Sequence, residues 1–175
     1  EYVIAVPHNI VGPRQKYDDP FRNVMSIMLN RMLQGKQPII YGDGKQQRCF
    51  SYIDDCLYCL NALAFQDNVV GEVINIGPDE EPITINELAE ACANETGLNL
   101  DPIHHKDRPK EVKLAVCSSN KARDLLGYST ATNMRQSVKK TAEYIRNRGT
   151  KKFQYHLPLE IINDQTPDTW KKKLI

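Results

Sequence analysis

The hydrophobic pattern changes period repeatedly along the chain. Tyr2-Val3-Ile4-Ala5-Val6 is a near-continuous apolar run closed by Pro7, which predicts a strand buried on both faces, as in a parallel sheet. His8 to Arg22 carries two prolines, a glycine and an Asp-Asp pair and reads as a loop. Val24, Ile27, Met28, Met32 and Leu33 then recur at helical spacing, with Gly35 where a helix would stop. Pro38 to Tyr41 predicts a short strand, Gly42-Asp43-Gly44 a tight turn, and Arg48 to Ile53 the returning strand. Asp54 and Asp55 supply carboxylates for the start of a helix running to about Phe65.

The second half keeps alternating. Glu72 to Ile76 reads as a strand ended by Gly77-Pro78, and Thr84-Ile85-Asn86-Glu87 matches a capping box whose helix stops at Gly97. A strand at about Leu100 to His104 leads into Arg108-Pro109-Lys110-Glu111. Helices follow over Asn120–Leu126 and Asn133–Arg148, each stopped by a glycine. The tail from Lys151 to Ile175 shows weak strand character at Leu159-Glu160-Ile161-Ile162 and a terminal lysine run. The fold class is therefore α/β, with residues 1–150 as one unit and 151–175 as a carboxyl-terminal tail. A parallel strand at Val3 to Val6 needs neighbours, so these residues are expected to belong to a longer chain.

Composition narrows the class. At 175 residues, 41% hydrophobic, with a formal net charge of +1, the chain lacks the basic excess of a nucleic-acid binder. No apolar run approaches the roughly 20 residues of a membrane span, and the sequence given does not open on a secretory segment. Five cysteines form no disulfide pattern, so reduced thiols and a cytoplasmic location are expected.

The missing motifs are informative. There is no G-x-G-x-x-G, P-loop or H-E-x-x-H. Tyr41 and Lys45 make a literal Tyr-x-x-x-Lys, but Gly42-Asp43-Gly44 turns the chain between them, whereas that proton-transfer pair must share one helix turn. Cys56 and Cys59 form a single C-x-x-C, too few ligands for zinc. Asp54-Asp55 just ahead of it opposes thiolate formation, so both thiols are expected in the core. His104 and His105 are adjacent in a strand and point to opposite faces. Lys171-Lys172-Lys173 reads as a solvated end.

Three residues could act on an anion. Gly42-Asp43-Gly44 delivers Arg48, Arg108 stands in an irregular segment, and Asn9 follows the first strand at its carboxyl end, where open α/β sheets bind ligands. Two guanidiniums and an amide could clamp a diphosphate, because the planar fork matches phosphate oxygens.

The order of the pieces adds a resemblance. Val6-Pro7-His8-Asn9-Ile10-Val11-Gly12-Pro13-Arg14, then Arg22-Asn23-Val24, then the block from Pro38 through Gly42-Asp43-Gly44, Arg48, Phe50, Tyr52 and Asp54-Asp55 resembles the carboxyl-terminal half of nucleotide-sugar epimerases and dehydratases. These are extended short-chain dehydrogenases/reductases, and the likeness is greatest to their UDP-glucose 4-epimerase group. It continues through Asn75-Ile76-Gly77, Thr84 to Ala89, Arg108 to Val112 and Lys121 to Tyr128, spanning about Tyr2 to Arg148.

The resemblance implies the last strands of a Rossmann-type parallel sheet plus a small α/β substrate-binding domain. Residues 1–10 and about 48–65 would pack on a Rossmann half that these residues do not include. It implies that Asn9 contacts a UDP-sugar near its diphosphate, and that Asn23, Val24 and the backbone at Ile40 and Tyr41 hold the base. Arg48 and Arg108 would grip the diphosphate, with Glu111 near the ribose. Pro7 and His8 would lie beside the nicotinamide of NAD bound mainly by the other half, and any homodimer would form through helices of that half. No nucleic acid, membrane or metal is implied.

Two positions depart from the family pattern: Cys49 stands where Asp usually follows the arginine, and Val6 where an arginine commonly precedes the Pro-His-Asn element. The glycine-rich loop, the catalytic Ser or Thr and the helical Tyr-x-x-x-Lys are not among these residues, so no catalytic residue is assigned. The expected function is the nucleotide-sugar-binding portion of an NAD-dependent 4-epimerase. The alternatives are a free-standing UDP-sugar-binding module, or the same portion of a dehydratase or decarboxylase.

Overall fold

The computed structural model describes residues 1–175. In chain order it comprises β1 (Ile4–Pro7), β2 (Ile10–Val11), α1 (Val24–Met32), β3 (Ile39–Tyr41), β4 (Gln47–Arg48), β5 (Ser51–Tyr52) and α2 (Ile53–Phe65). After a 3-10 turn come β6 (Val73–Ile76), β7 (Ile83–Thr84), α3 (Ile85–Thr96), β8 (Ile103–His105), β9 (Leu114–Ala115), α4 (Asn120–Leu126), α5 (Met134–Arg148) and α6 (Asp168–Lys171).

The helix ends follow local chemistry. Thr84 and Glu87 form a reciprocal capping box at the start of α3, and Asn133 and Gln136 do so for α5. Asn23 caps α1 by accepting from the Met25 N–H. Gly97 and Gly127 close α3 and α4 in the left-handed conformation that L side chains avoid.

Helices α1, α3 and α5 pack on one another around Met28, Leu29, Leu88, Val138 and Ile145, together with Ile40 of β3 and Phe50. Fully burying one such aliphatic side chain stabilises by about 1.5–3 kcal/mol, so this layer fixes the wall formed by β3. A second core joins α2 and α4 to the β1–β6 pair through Cys56, Cys59, Ile74, Ile76, Ala122 and Leu126.

Four small sheets result. β1 runs parallel to β6 with Ile4 opposite Val73 and Pro7 opposite Ile76, β2 parallel to β5, and β3 parallel to β8 with Tyr41 opposite His105. The fourth places β4 between antiparallel β7 and parallel β9. No helix is long and apolar enough to cross a membrane.

Three expectations require correction. First, β1 is not buried on both faces: Ala5 packs on the second core, but Ile4 and Val6 are exposed, as is Val73 opposite Ile4. Only one strand flanks β1, and nothing among residues 1–175 covers its other face.

Second, the segment after the glycine turn does not return along β3. Gly42 and Gly44 both have positive φ. The turn is bonded to the start of α3, where the Asn86 side-chain amide donates to the Asp43 carbonyl and the Asn86 N–H to the Gly44 carbonyl. The chain is thus led away from β3, and β4 finds β7 and β9 instead. Third, Leu159 to Ile162 forms no strand; Ile161 and Ile162 are exposed with no partner strand, and the tail's regular element is the single turn α6. The tail is nevertheless bound to the first layer, through Asn30 Nδ2 to the Lys151 carbonyl and Gln154 N–H to the Asp18 carbonyl.

Candidate functional site

The carboxyl ends of three parallel strands converge on one cleft. Asn9 follows β1, Tyr41 ends β3, and Arg108 lies three residues beyond β8. The cleft has a volume of about 240 Å³, and all eight residues expected to hold substrate line it: Asn9, Asn23, Val24, Ile40, Tyr41, Arg48, Arg108 and Glu111.

Its electrostatic centre is Glu111. Arg48 Nη2 donates to Glu111 Oε1 at 2.5 Å, and Arg108 Nε lies 3.8 Å from Glu111 Oε2. Each carboxylate oxygen thus faces a different guanidinium, leaving one net positive charge among the three. Arg48 is further fixed by Nη1 donating to the carbonyls of Gln47 and Val112, both at 2.7 Å. Arg48 and Glu111 are about 15% and 16% exposed, so solvent screens this pair less than a surface pair.

The remaining wall residues contribute unequally. Asn9 sits at φ 44°, which Asn tolerates better than most residues, and its Nδ2 donates to the Cys49 carbonyl at 3.0 Å. That bond ties the end of β1 to the stretch between Arg48 and β5. His8 Nε2 lies 3.0 Å from the Ala115 carbonyl and 3.1 Å from Asn9 Nδ2; the carbonyl only accepts and the amide only donates, so the imidazole tautomer selects which of the two it bonds. The Asn23 side-chain oxygen is spent capping α1 at 2.9 Å, and the Ile40 side chain is buried in the helical core. Asn23 therefore offers a ligand chiefly N–H groups, and Ile40 lies within the β3–β8 ladder.

Motif reading missed part of the cleft. Gln46, buried, donates from Nε2 to the Tyr41 carbonyl at 3.2 Å and braces the glycine turn from inside. Arg22, adjacent to Asn23, also lines the cleft while its Nε donates to Asp19 at 3.1 Å. Phe50 and Ile85 add apolar wall. From the tail, Thr169 hydrogen-bonds Tyr41 and Trp170 lies against Arg108. Arg22, Gln46, Phe50 and Ile85 lie within the motif stretches but carried no assigned role, and the tail residues arise from packing between distant segments.

Two larger hollows, about 650 and 700 Å³, lie elsewhere. The cation in the first, Arg123, is engaged by Asp79 and Glu80, and the second is bordered by Glu81, Glu87, Glu90 and Glu95. The first thus has its cation already paired and the second sets Arg135 alone against four carboxylates, which favours the smaller cleft as an anion site. Cys56 and Cys59 are buried in the second core, where burial pushes both thiols up to about 11. That behaviour suits packing rather than redox exchange. His104 Nδ1 lies 2.8 Å from the Gly42 carbonyl, where only the ring nitrogen can be the donor, while His105 packs near the Tyr41 ring.

The parallel strands, covering helices and cleft at the strands' carboxyl ends define an α/β protein with the architecture of an extended short-chain dehydrogenase/reductase, in its carboxyl-terminal part. Residues 1–77 match the family described as NAD dependent epimerase/dehydratase. A UDP-N-acetyl-alpha-D-glucosaminuronate decarboxylase of Bacillus cytotoxicus is 32% identical over 144 residues, covering 79% of this chain and 44% of that protein. The crystal structure of UDP-glucose 4-epimerase from Thermotoga maritima with UDP-glucose superposes with a TM-score of 0.77 at 31% identity, covering 84% of this chain and 46% of the other. UDP-glucuronic acid 4-epimerase from Bacillus cereus, in complex with UDP-glucuronic acid and NAD, gives 0.76 at 31% identity with the same coverage. The chain belongs to the NAD-dependent epimerase/dehydratase family, and it spans less than half the length of these relatives.

Proposed function

We propose that these residues form the nucleotide-sugar-binding part of an NAD-dependent UDP-sugar 4-epimerase. The carrying observation is the convergence of Arg48 and Arg108 on one cleft, cross-linked by Glu111. Two planar cations facing opposite oxygens of one carboxylate suit a diphosphate, whose oxygens accept paired N–H bonds. In this reading Arg48 and Arg108 grip the diphosphate and Asn9 lies beside it. The backbone at Asn23-Val24 and Ile40-Tyr41 holds the base, and Glu111 accepts from ribose hydroxyls.

Pro7 and His8 fit an edge contact with the nicotinamide and no more. Pro7 is exposed at the end of β1, the His8 ring faces the Ala115 carbonyl, and no glycine-rich dinucleotide loop occurs in this sequence. NAD, bound mainly by other residues of the whole protein, supplies hydride uptake from the sugar and its return. The exposed apolar side chains Ile4, Val6, Leu57 and Tyr58 support packing of residues 1–10 and 48–65 on a Rossmann half, through whose helices a homodimer would form.

A second reading is favoured by the Bacillus cytotoxicus relative, whose name is that of a decarboxylase: the same cleft serving a UDP-sugar decarboxylase or dehydratase. The test uses the full-length protein with NAD and UDP-glucose, following the sugar by proton NMR, alongside UDP calorimetry. Interconversion of the 4-epimers establishes the epimerase. UDP binding with loss of water or carbon dioxide from a UDP-sugar establishes the second reading. UDP binding with no turnover of any UDP-sugar leaves a binding module, and absence of UDP binding rejects the cleft.

A further inference from the structure

We propose that Trp170, in the carboxyl-terminal tail, is a positioning residue of the nucleotide site, holding the Arg108 guanidinium toward the diphosphate of a nucleotide-sugar. The inference rests on the cleft reading above. It concerns a segment outside the stretch, Tyr2 to Arg148, that carries the family motifs.

Arg108 needs such support. Its guanidinium makes no hydrogen bond within the protein, its nearest carboxylate oxygen is 3.8 Å away, and its side chain is 37% exposed. A contact of that length does not fix an orientation. Two aromatic rings do: Arg108 Cζ lies 5.3 Å from the centroids of both Tyr41 and Trp170, inside the roughly 6 Å range of a cation–π contact. A guanidinium held against ring faces keeps its in-plane N–H groups available for phosphate oxygens.

The tail is anchored where this contact needs it. The Tyr41 hydroxyl hydrogen-bonds Thr169 Oγ1 and accepts from the Thr169 N–H at 3.3 Å, and Thr169 is buried. Tyr155 holds the same turn from behind, donating to the Thr169 carbonyl at 3.2 Å and accepting from the Ile175 N–H at 3.1 Å. Trp170 also packs edge-on against Phe21, with centroids 5.3 Å apart, and Phe21 directly precedes the lining residues Arg22 and Asn23. The tail therefore ties together two walls of the cleft. Losing the Trp170 ring would leave Arg108 more rotamers to surrender on binding, which weakens affinity without removing any ligand contact.

The test is UDP calorimetry on the full-length protein at fixed salt. Trp170→Ala is expected to weaken UDP about 3- to 10-fold, the scale of a partly exposed cation–π contact, and Trp170→Phe to restore binding to within about twofold because it keeps a ring face. In an Arg108→Ala background, Trp170→Ala should cost nothing further, since a residue acting through Arg108 has nothing left to position. If Trp170→Ala does not fold, Trp170→Leu replaces it, filling the space without a π face and predicting the same loss. Parental affinity in Trp170→Ala or Trp170→Leu, or an undiminished loss in the Arg108→Ala background, overturns the proposal. Arg48→Ala run in parallel separates the two readings. If the parent binds UDP and Arg48→Ala weakens it, the cleft stands whatever Trp170 does. If the parent does not bind UDP, both readings fall.

Discussion

Replacing Arg48 with alanine removes three bonds at once: two to carbonyl oxygens of Gln47 and Val112 and one to Glu111. Two separable consequences follow. In the protein alone, Glu111 is left largely buried with Arg108 only at 3.8 Å, and leaving such a group under-satisfied costs about 1–3 kcal/mol of stability. On the proposed reading, affinity also falls, by the about 1.5–3 kcal/mol of a charge-assisted hydrogen bond, or roughly 10- to 150-fold in Kd. Urea midpoints measure the first effect and UDP calorimetry at fixed ionic strength the second. Uridine serves as the control ligand, since it carries the base and ribose without phosphate. Arg48→Lys keeps the charge but loses the fork, and should fall between parent and alanine variant. If Arg48→Ala and Arg108→Ala both bind UDP within about twofold of the parent, or if uridine and UDP weaken equally, the diphosphate clamp is refuted.

Three further outcomes are expected. Gly44→Ala should lower stability more than Gly42→Ala: both positions have positive φ, costing about 1–2 kcal/mol for an L side chain, and a Cβ at either overlaps a side chain, but at Gly42 that is the exposed Asp107 carboxyl, which can swing away, whereas at Gly44 it is the Asn86 amide that bonds the turn to α3; equal urea midpoints would contradict this account of the turn. Burial pushes the thiols of Cys49, Cys56 and Cys59 up to about 11, so a disulfide reagent at pH 8 mapped by mass spectrometry should label half-buried Cys117 well before these, and prior labelling of Cys56 or Cys59 would remove them from the core. The Asp79 carboxyl is held below its ordinary range, chiefly by hydrogen bonds from Arg123; a depressed folded value means that this stability is full above the unfolded carboxylate range, about pH 3.9, and is lost as pH falls through the folded value. Asp79→Asn should therefore flatten the acid limb of stability against pH, and an unchanged limb would show that Asp79 does not contribute to it.

The parts of this molecule that local chemistry controls were legible in the sequence. The box at Thr84 and Glu87 and the stops at Gly97 and Gly127 need only neighbours within one turn, and they lie where the pattern puts them. Arg48, Arg108 and Asn9 were legible because each flanks a turn or a strand end. Residues linked across the chain were not. β2, β7 and β9 are two residues long, too short for a period to register, and β4 is turned from β3 by bonds to Asn86, more than 40 positions away. The tail contributes to the cleft through single side chains, Thr169 and Trp170, whose partners are set by packing alone. Glu111, which the family resemblance places near a ribose, bridges two arginines for a reason that only their meeting in space supplies.

Those two descriptions of Glu111 are compatible on the proposed reading, and charge shows why. Two guanidiniums and one carboxylate sum to one net positive charge, whereas a nucleotide diphosphate brings about two negative ones. A carboxylate held 4 Å from a phosphate oxygen would be repelled by about 4 kcal/mol at an effective dielectric of 20, enough to cancel one arginine contact. The repulsion is relieved if the carboxylate gives up Arg48 to the phosphate and turns to donors, which the ribose hydroxyls of the same ligand would supply. Before binding, Glu111 holds Arg48 and attracts Arg108 from 3.8 Å without fixing it, lowering the entropy Arg48 loses when a diphosphate arrives. After binding, the same oxygens accept from the sugar. A neutral residue at this position would serve neither stage as well, because it would neither gather the arginines nor accept strongly from the hydroxyls.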